Sequence, residues 1–264
     1  MDKTTLGLVL SGGGYKGLAH AGALQFLQEQ NIHPQVLAGT SAGSIVSCLH
    51  AIGMPPQEIL NFFKSVNLFD WSHFTFKKAG IMDVNAFDKY LHSVFGDKTI
   101  GELNIPVYIT ATNIVQGTLH IFDNQTKVTD AILASSAFPG VFSPYKIKDT
   151  IYSDGGIVNN FPINIMKEVS NFVIGINVTP IHEVKQEELT SIRSVTFRAY
   201  ELMTAMSNIQ QSKHCDWLIE PEELINYSTF ERSKEKMDKI YEIGYQSTKE
   251  SFERNKDKLQ KAIL

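Results

Sequence analysis

Apolar positions along the chain change their period at short intervals, and each change marks an element. Leu6 to Leu10 form a short apolar run closed by Ser11-Gly12-Gly13-Gly14, after which Ala21, Leu24 and Leu27 recur on one side of a helical stretch. That order is strand, glycine turn, helix. Gln35 to Thr40 repeat it as a second strand and turn, followed by Ile45, Val46, Leu49 and Ile52 on a helical face that stops at Gly53. Pro55 and Pro56 open a helix with Ile59, Phe62, Phe63 and Val66 at i, i+3, i+4 and i+7. Asp83 caps another that carries Phe87, Tyr90, Leu91 and Val94 and ends before Gly96. Pro106–Ile114, Gly117–Phe122 and Thr150–Ser153 read as further strands. The near-continuous apolar run Asn171–Thr179 reads as a strand buried on both faces.

Further along, Val195, Ala199, Leu202, Met206 and Ile209 mark one long helix, and Ser228-Thr229-Phe230-Glu231 reads as a capping box ahead of another. This last helix is amphipathic. Met237, Ile240, Tyr241, Gly244, Tyr245, Thr248 and Phe252 share one side, and lysines gather near its end, where they suit the helix dipole. Strands and helices alternating in this order predict an α/β fold of three layers, helix, mostly parallel sheet, helix, in a single domain over residues 1–264.

Composition narrows the class. The 264 residues are 43% hydrophobic and 10% aromatic, enough for a core that needs no staples, and a net charge of -4 carries no electrostatic footprint for nucleic acid. Cys48 and Cys215 lie far apart in apolar surroundings and read as buried thiols of a reducing compartment. The opening Met-Asp-Lys-Thr-Thr runs straight into Leu6–Leu10, too short for a signal peptide, and no stretch approaches the roughly 20 apolar residues of a membrane span. The expectation is a soluble, cytoplasmic protein.

Three glycine-rich turns carry the candidate chemistry. Gly39-Thr40-Ser41-Ala42-Gly43 matches G-x-S-x-G between a strand and a helix, where small neighbours let a strained serine project its oxygen; on the pattern alone Ser41 is equally a helix cap. Ser11 to Gly17 offers consecutive amides at a helix start, suited to an oxyanion or a phosphate. A phosphate loop needs Gly-Lys followed by Ser or Thr, and here Lys16 precedes Gly17 with no hydroxyl after it. The third turn, Asp154-Gly155-Gly156, follows a short strand and says little by itself.

Together, in this order and with Ala134-Ser135-Ser136-Ala137-Phe138-Pro139 just upstream of the third, the turns resemble the patatin-like phospholipase family from about Leu6 to Val178. The resemblance implies a patatin-like fold and a lipid acyl hydrolase acting on fatty-acyl esters without metal or cofactor. Its glycine loop forms the oxyanion hole, its G-x-S-x-G serine is the nucleophile, and the aspartate of D-G-G completes a Ser-Asp dyad without histidine. By position these roles fall to Gly12, Gly13 and Gly14, to Ser41, and to Asp154, with the Ala42 amide beside the loop. Ser11 and Lys16 stand where many members carry aspartate and arginine, which bears on ligand preference. An acyltransferase would use the same dyad, and a phosphate-binding or catalytically silent lipid-binding protein are the rivals from other classes.

Among eight histidines His20 is the one placed to serve as an alternative base, or to tie its helix to a backbone carbonyl. No histidines show paired metal-ligand spacing. Phe69, Trp71 and Phe74, with Leu68 and Phe76 beside Lys77 and Lys78, form an aromatic segment for substrate contact: either a surface for weak, reversible membrane contact or a lid folded into the core.

Overall fold

Among the described residues eight strands form one sheet: β1 (Leu6–Leu10), β2 (Val36–Thr40), β3 (Val107–Asn113), β4 (Thr118–Ile121), β5 (Tyr145–Ile147), β6 (Thr150–Asp154), β7 (Phe172–Ile176) and β8 (Trp217–Ile219). The computed structural model describes residues 5–66 and 85–262; Asp83 and the aromatic segment with Phe69, Trp71 and Phe74 lie outside the described residues. Strand order is β5-β6-β3-β2-β1-β7-β8, with β4 paired to β3 off this path. β1 pairs in parallel with β2 and β7, β2 with β3, and β7 with β8. β4, β5 and β6 join antiparallel.

β1 and β7 are apolar throughout because both faces of the sheet are covered. Leu6, Leu8, Leu10, Phe172, Ile174 and Ile176 enter a large core, while Val9 and Val173 enter a smaller one on the other face. Among the described residues eight α-helices accompany the strands: α1 (Leu18–Glu29), α2 (Ala42–Ala51), α3 (Pro56–Ser65), α4 (Asn85–Phe95), α5 (Val128–Ser135), α6 (Ile163–Lys167), α7 (Ile192–Ser212) and α8 (Lys234–Ala262). α1, α2, α3 and α8 supply the large core; α6 packs on β1, β2 and β7 and brings Ile163 and Met166 to the smaller one. These are the three expected layers. Cys48 and Cys215 are free thiols, Cys48 buried and Cys215 partly so, and burial raises both pKa values. Among the described residues no helix is long and apolar enough to cross a membrane.

Two local readings need correction. α8 begins at Lys234, and its cap is Ser233, whose carbonyl accepts from Met237 N at 2.9 Å and whose Oγ lies 3.3 Å from Lys236 N. Ser228 instead accepts from Phe230 N, and Glu231 turns forward to the Arg232 and Ser233 amides, so Ser228–Glu231 is a tight turn ahead of the cap. In α7 the apolar period marks the helix correctly, yet Val195, Leu202, Met206 and Ile209, with Ile192 and Met203, are exposed. The side α7 turns inward carries Thr204, Ala205 and Asn208, because it closes a cleft and not the hydrophobic core.

α8 follows its pattern: Met237, Ile240, Tyr241, Thr248 and Phe252 are buried along α1. The two helices meet backbone to backbone. A methyl group on Gly244 would stand 2.0 Å from the Ala19 carbonyl oxygen, and one on Gly22 would stand 1.9 Å from that of Tyr241. Gly244→Ala is therefore expected to lower stability by about 1–3 kcal/mol, the scale of overpacking, although alanine is the better helix former. Urea unfolding checks this; an unchanged midpoint would show that the two helices can separate freely.

Candidate active site

The turn after β2 is held under strain. Ser41 sits between β2 and α2 with φ 51° and ψ -123°, a left-handed conformation that costs a residue with a side chain about 1–3 kcal/mol. Its surroundings hold it there. The Ser41 amide donates to Ser135 Oγ at 2.8 Å, and its carbonyl accepts from the Ser44 amide at 2.9 Å, the Ser44 hydroxyl at 2.6 Å and the Ile45 amide at 3.2 Å. α2 also starts against β1: a methyl on Gly43 would lie 2.1 Å from the Leu10 carbonyl oxygen, so only glycine admits this approach. The small residues of Gly39–Gly43 thus serve the geometry of Ser41.

The turn after β1 lies beside it. The Gly12 amide is taken by the Asn160 carbonyl at 3.1 Å, whereas the Gly13, Gly14 and Ala42 amides make no backbone hydrogen bond as donors among the described residues. Gly14 has φ 57°, which glycine adopts without penalty, and the chain then enters the 3-10 turn Gly14–Gly17. Gly12 contributes by closeness, since a methyl there would be 2.3 Å from Asn160 Oδ1 and 3.3 Å from Ser41 Cβ. Lys16 is buried, and desolvation lowers its pKa against the opposing charge of Glu201.

Asp154 ends β6. Because β6 runs antiparallel to β3, with Asp154 opposite Ala111, and Thr110 of β3 lies opposite Thr40 of β2, the register carries Asp154 to the strand end that bears Ser41. Its amide donates to the Ala137 carbonyl at 3.0 Å, and its own carbonyl accepts from Thr112 Oγ1 at 2.9 Å. The side chain is buried; Oδ1 accepts from the Gly156 amide at 2.8 Å. Burial pushes its pKa up to about 6, and the Gly156 amide and the hydroxyls of Ser41 and Tyr200 pull against that rise. Among the described residues Oδ2 makes no well-formed hydrogen bond.

His20 is not a partner of this carboxylate. Its Nε2 meets the Ser11 carbonyl at 2.8 Å inside the protein, and burial lowers its pKa to about 4, so the ring is neutral near pH 7. It ties α1 to the glycine loop. The sequence offered no pointer to Tyr200, which α7 brings to Asp154 from beyond the motif-bearing region, nor to Ser135 as the anchor of the Ser41 amide.

Ser41, Asp154 and the glycine turn line one cleft of roughly 980 Å³, its open mouth included. Ile45, Phe63, Phe87, Phe138, Phe142 and Phe230 make much of its wall apolar, and Lys16, Arg198 and Glu201 join Asp154 as charged groups among the lining residues. Arg198 pairs with Glu201 at 3.2 Å and also donates to the His182 carbonyl. Such a cleft offers an alcohol beside a carboxylate of raised pKa, unpaired amides at a helix start, and room for an apolar chain.

The family model described as patatin-like phospholipase matches residues 8–167. The chain is 26% identical to human patatin-like phospholipase domain-containing protein 6, an alignment covering 94% of this chain and 20% of that protein. It is 25% identical to an uncharacterised NTE family protein of Mycobacterium tuberculosis, over 83% of this chain and 42% of the relative. It is 30% identical to the lysophospholipase NTE1 of Saccharomyces cerevisiae, over 61% of this chain and 10% of the relative. The chain thus spans less than half the length of these curated relatives. Among solved structures, VipD from Legionella pneumophila superposes with a TM-score of 0.60 at 16% identity, covering 95% of this chain and 67% of that one, a likeness of fold.

Asp154 gives a stability prediction with a definite sign. Its folded pKa, about 6, lies above the ordinary 3.8, so the folded protein binds more protons between those values and loses stability as the pH rises through them. Asp154→Asn removes the buried charge, and is expected to stabilise the protein at pH 8 by an amount on the order of 3 kcal/mol. The gain should fade as the pH falls from 6 to 4. Thermal unfolding of both proteins across that range checks it; a variant less stable than wild type at pH 8 would contradict it.

Proposed function

The chain belongs to the patatin-like phospholipase family, and on that basis we propose that its cleft is a serine acyl hydrolase site for fatty-acyl esters of lipids. The observation that carries the reading is the strained Ser41 beside the buried Asp154 in a largely apolar cleft. Ser41 Oγ attacks the ester carbonyl while Asp154 takes its proton directly. With a pKa raised to about 6, Asp154 is ionised at neutral pH and a stronger base than a solvated carboxylate. The Gly13, Gly14 and Ala42 amides, backed by the start of α2, hold the negative charge that grows on the carbonyl oxygen. Asp154 then returns the proton to the departing alcohol, leaving an acyl-enzyme ester on Ser41. Water, deprotonated by the same carboxylate, attacks that ester and releases the fatty acid and the free serine.

The aromatic walls suit the acyl chain, and Lys16 offers a cation for a polar or anionic headgroup. A relative named as a lysophospholipase supports hydrolysis over acyl transfer, and makes a single-chain phospholipid a fitting first substrate.

Fatty-acid release from lysophosphatidylcholine micelles tests the reading. Ser41→Ala and Asp154→Asn are each expected to reduce release by at least about 10³-fold, the scale of losing a nucleophile or its base. Gly13→Ala, whose methyl would stand 2.7 Å from Val178 Cγ2, displaces an oxyanion donor and should cost about 10²-fold. Undiminished release by folded Ser41→Ala would remove the nucleophile assignment.

A further inference from the structure

Tyr200 lies outside every motif of the sequence, yet α7 sets its hydroxyl against the turn that follows Asp154. α7 packs on the 3-10 turn Gly155–Ile157, and a methyl on Gly156 would stand 2.5 Å from the Tyr200 hydroxyl oxygen and 3.0 Å from Asp154 Oδ1. Gly156 therefore leaves open a space bordered by both the phenol oxygen and the carboxylate. The ring is fixed independently by Phe138, at 4.6 Å between centroids and 68° between planes, and Phe138 in turn packs on Phe197 and Phe230. The adjoining Ala137 carbonyl accepts both the Asp154 amide and, at 2.7 Å, the Ser153 hydroxyl. One short segment, Ala137-Phe138, thus positions the backbone of Asp154 from one residue and the phenol from the next.

We infer that Tyr200 is a positioning residue for the proposed dyad: its hydroxyl donates to the Asp154 carboxylate and keeps it turned toward Ser41. The inference rests on the hydrolase reading of the cleft. Two physical consequences follow. A carboxylate held by the Gly156 amide and a phenol has less freedom to rotate away from the serine. A hydroxyl donating to the ionised form also favours that form, so Tyr200 sets the pH at which the base becomes available. The other charged or titratable groups facing this part of the cleft are Lys16 on the turn after β1, Arg198 and Glu201 on α7, and His182 beyond β7. Among the described residues Asp154 forms no ion pair, so the phenol can be removed without disturbing one.

The pH profile of kcat/KM for a soluble p-nitrophenyl ester tests this on wild type and Tyr200→Phe, whose fold is checked by circular dichroism. The acid limb of Tyr200→Phe should move up by about 1 pH unit, giving about tenfold lower kcat/KM on the acid side and a much smaller change on the alkaline plateau. Site-specific 3-fluorotyrosine at position 200 keeps the shape and makes the phenol a stronger donor; the limb should then move down. That second arm remains decisive if Tyr200→Phe fails to fold. Acid limbs that superpose on an active wild type would overturn the role of Tyr200 and leave the hydrolase reading standing. A wild type without esterase activity on any acyl ester would overturn that reading, and the role of Tyr200 with it.

Discussion

Keeping one carboxylate out of water at the end of β6 is the constraint on which the rest of the site depends. Desolvation raises the pKa of Asp154 to about 6, against the opposing pull of the Gly156 amide and the Ser41 and Tyr200 hydroxyls. That balance fixes much of the surrounding architecture. Gly155 and Gly156 admit the close approach of the Thr110 carbonyl and the Tyr200 hydroxyl, Ala137 anchors the strand end, and α7 packs over the turn that follows. The inward side of α7 consequently carries Tyr200, Thr204, Ala205 and Asn208, and its apolar stripe is left outside.

A second cost sits beside the first. The left-handed backbone at Ser41 is sustained by Ser135 and Ser44 and by the approach of Gly43 to β1. Both expenses are met by the parts of the fold that are well covered: the two-sided burial of β1 and β7 and the close contact of α1 with α8. A buried charge and a strained alcohol in one cleft are what a hydrolytic site requires, and a protein selected for stability alone would discard both.

Where a residue's fate depends on neighbours in sequence, the chain could be read directly. β1 and β2 declare themselves by short apolar runs closed by glycine-rich turns and β7 by a near-continuous apolar run, and the inward face of α8 from Met237 to Phe252 follows a clean helical period. The role of His20 as a tie to a backbone carbonyl was also legible, because it falls in the first helix after the glycine loop. β5 and β8 were not: three residues each, they exist only because a sheet edge stands ready to pair them. α5 is short and buried nearly all round, Thr129 and Ser135 included, so no solvent face gives it a period. α7 misled in a different way, since its period is real and its stripe faces solvent. Within the candidate site, Gly12 to Gly14, Ser41 and Asp154 were marked by ordered motifs. Tyr200 and Ser135 act through contacts across 46 and 94 positions of chain, and no local pattern encodes those.

The central claim, that Ser41 is an alcohol activated by Asp154, is tested most directly by covalent labelling with a fluorophosphonate as a function of pH, with the modified peptide located by mass spectrometry. The account predicts a single adduct on Ser41, formed at a rate that climbs through about pH 6 and then levels, and no adduct on Asp154→Asn at any pH in that range. An adduct on another residue, or an Asp154→Asn protein labelled as fast as wild type, would contradict it.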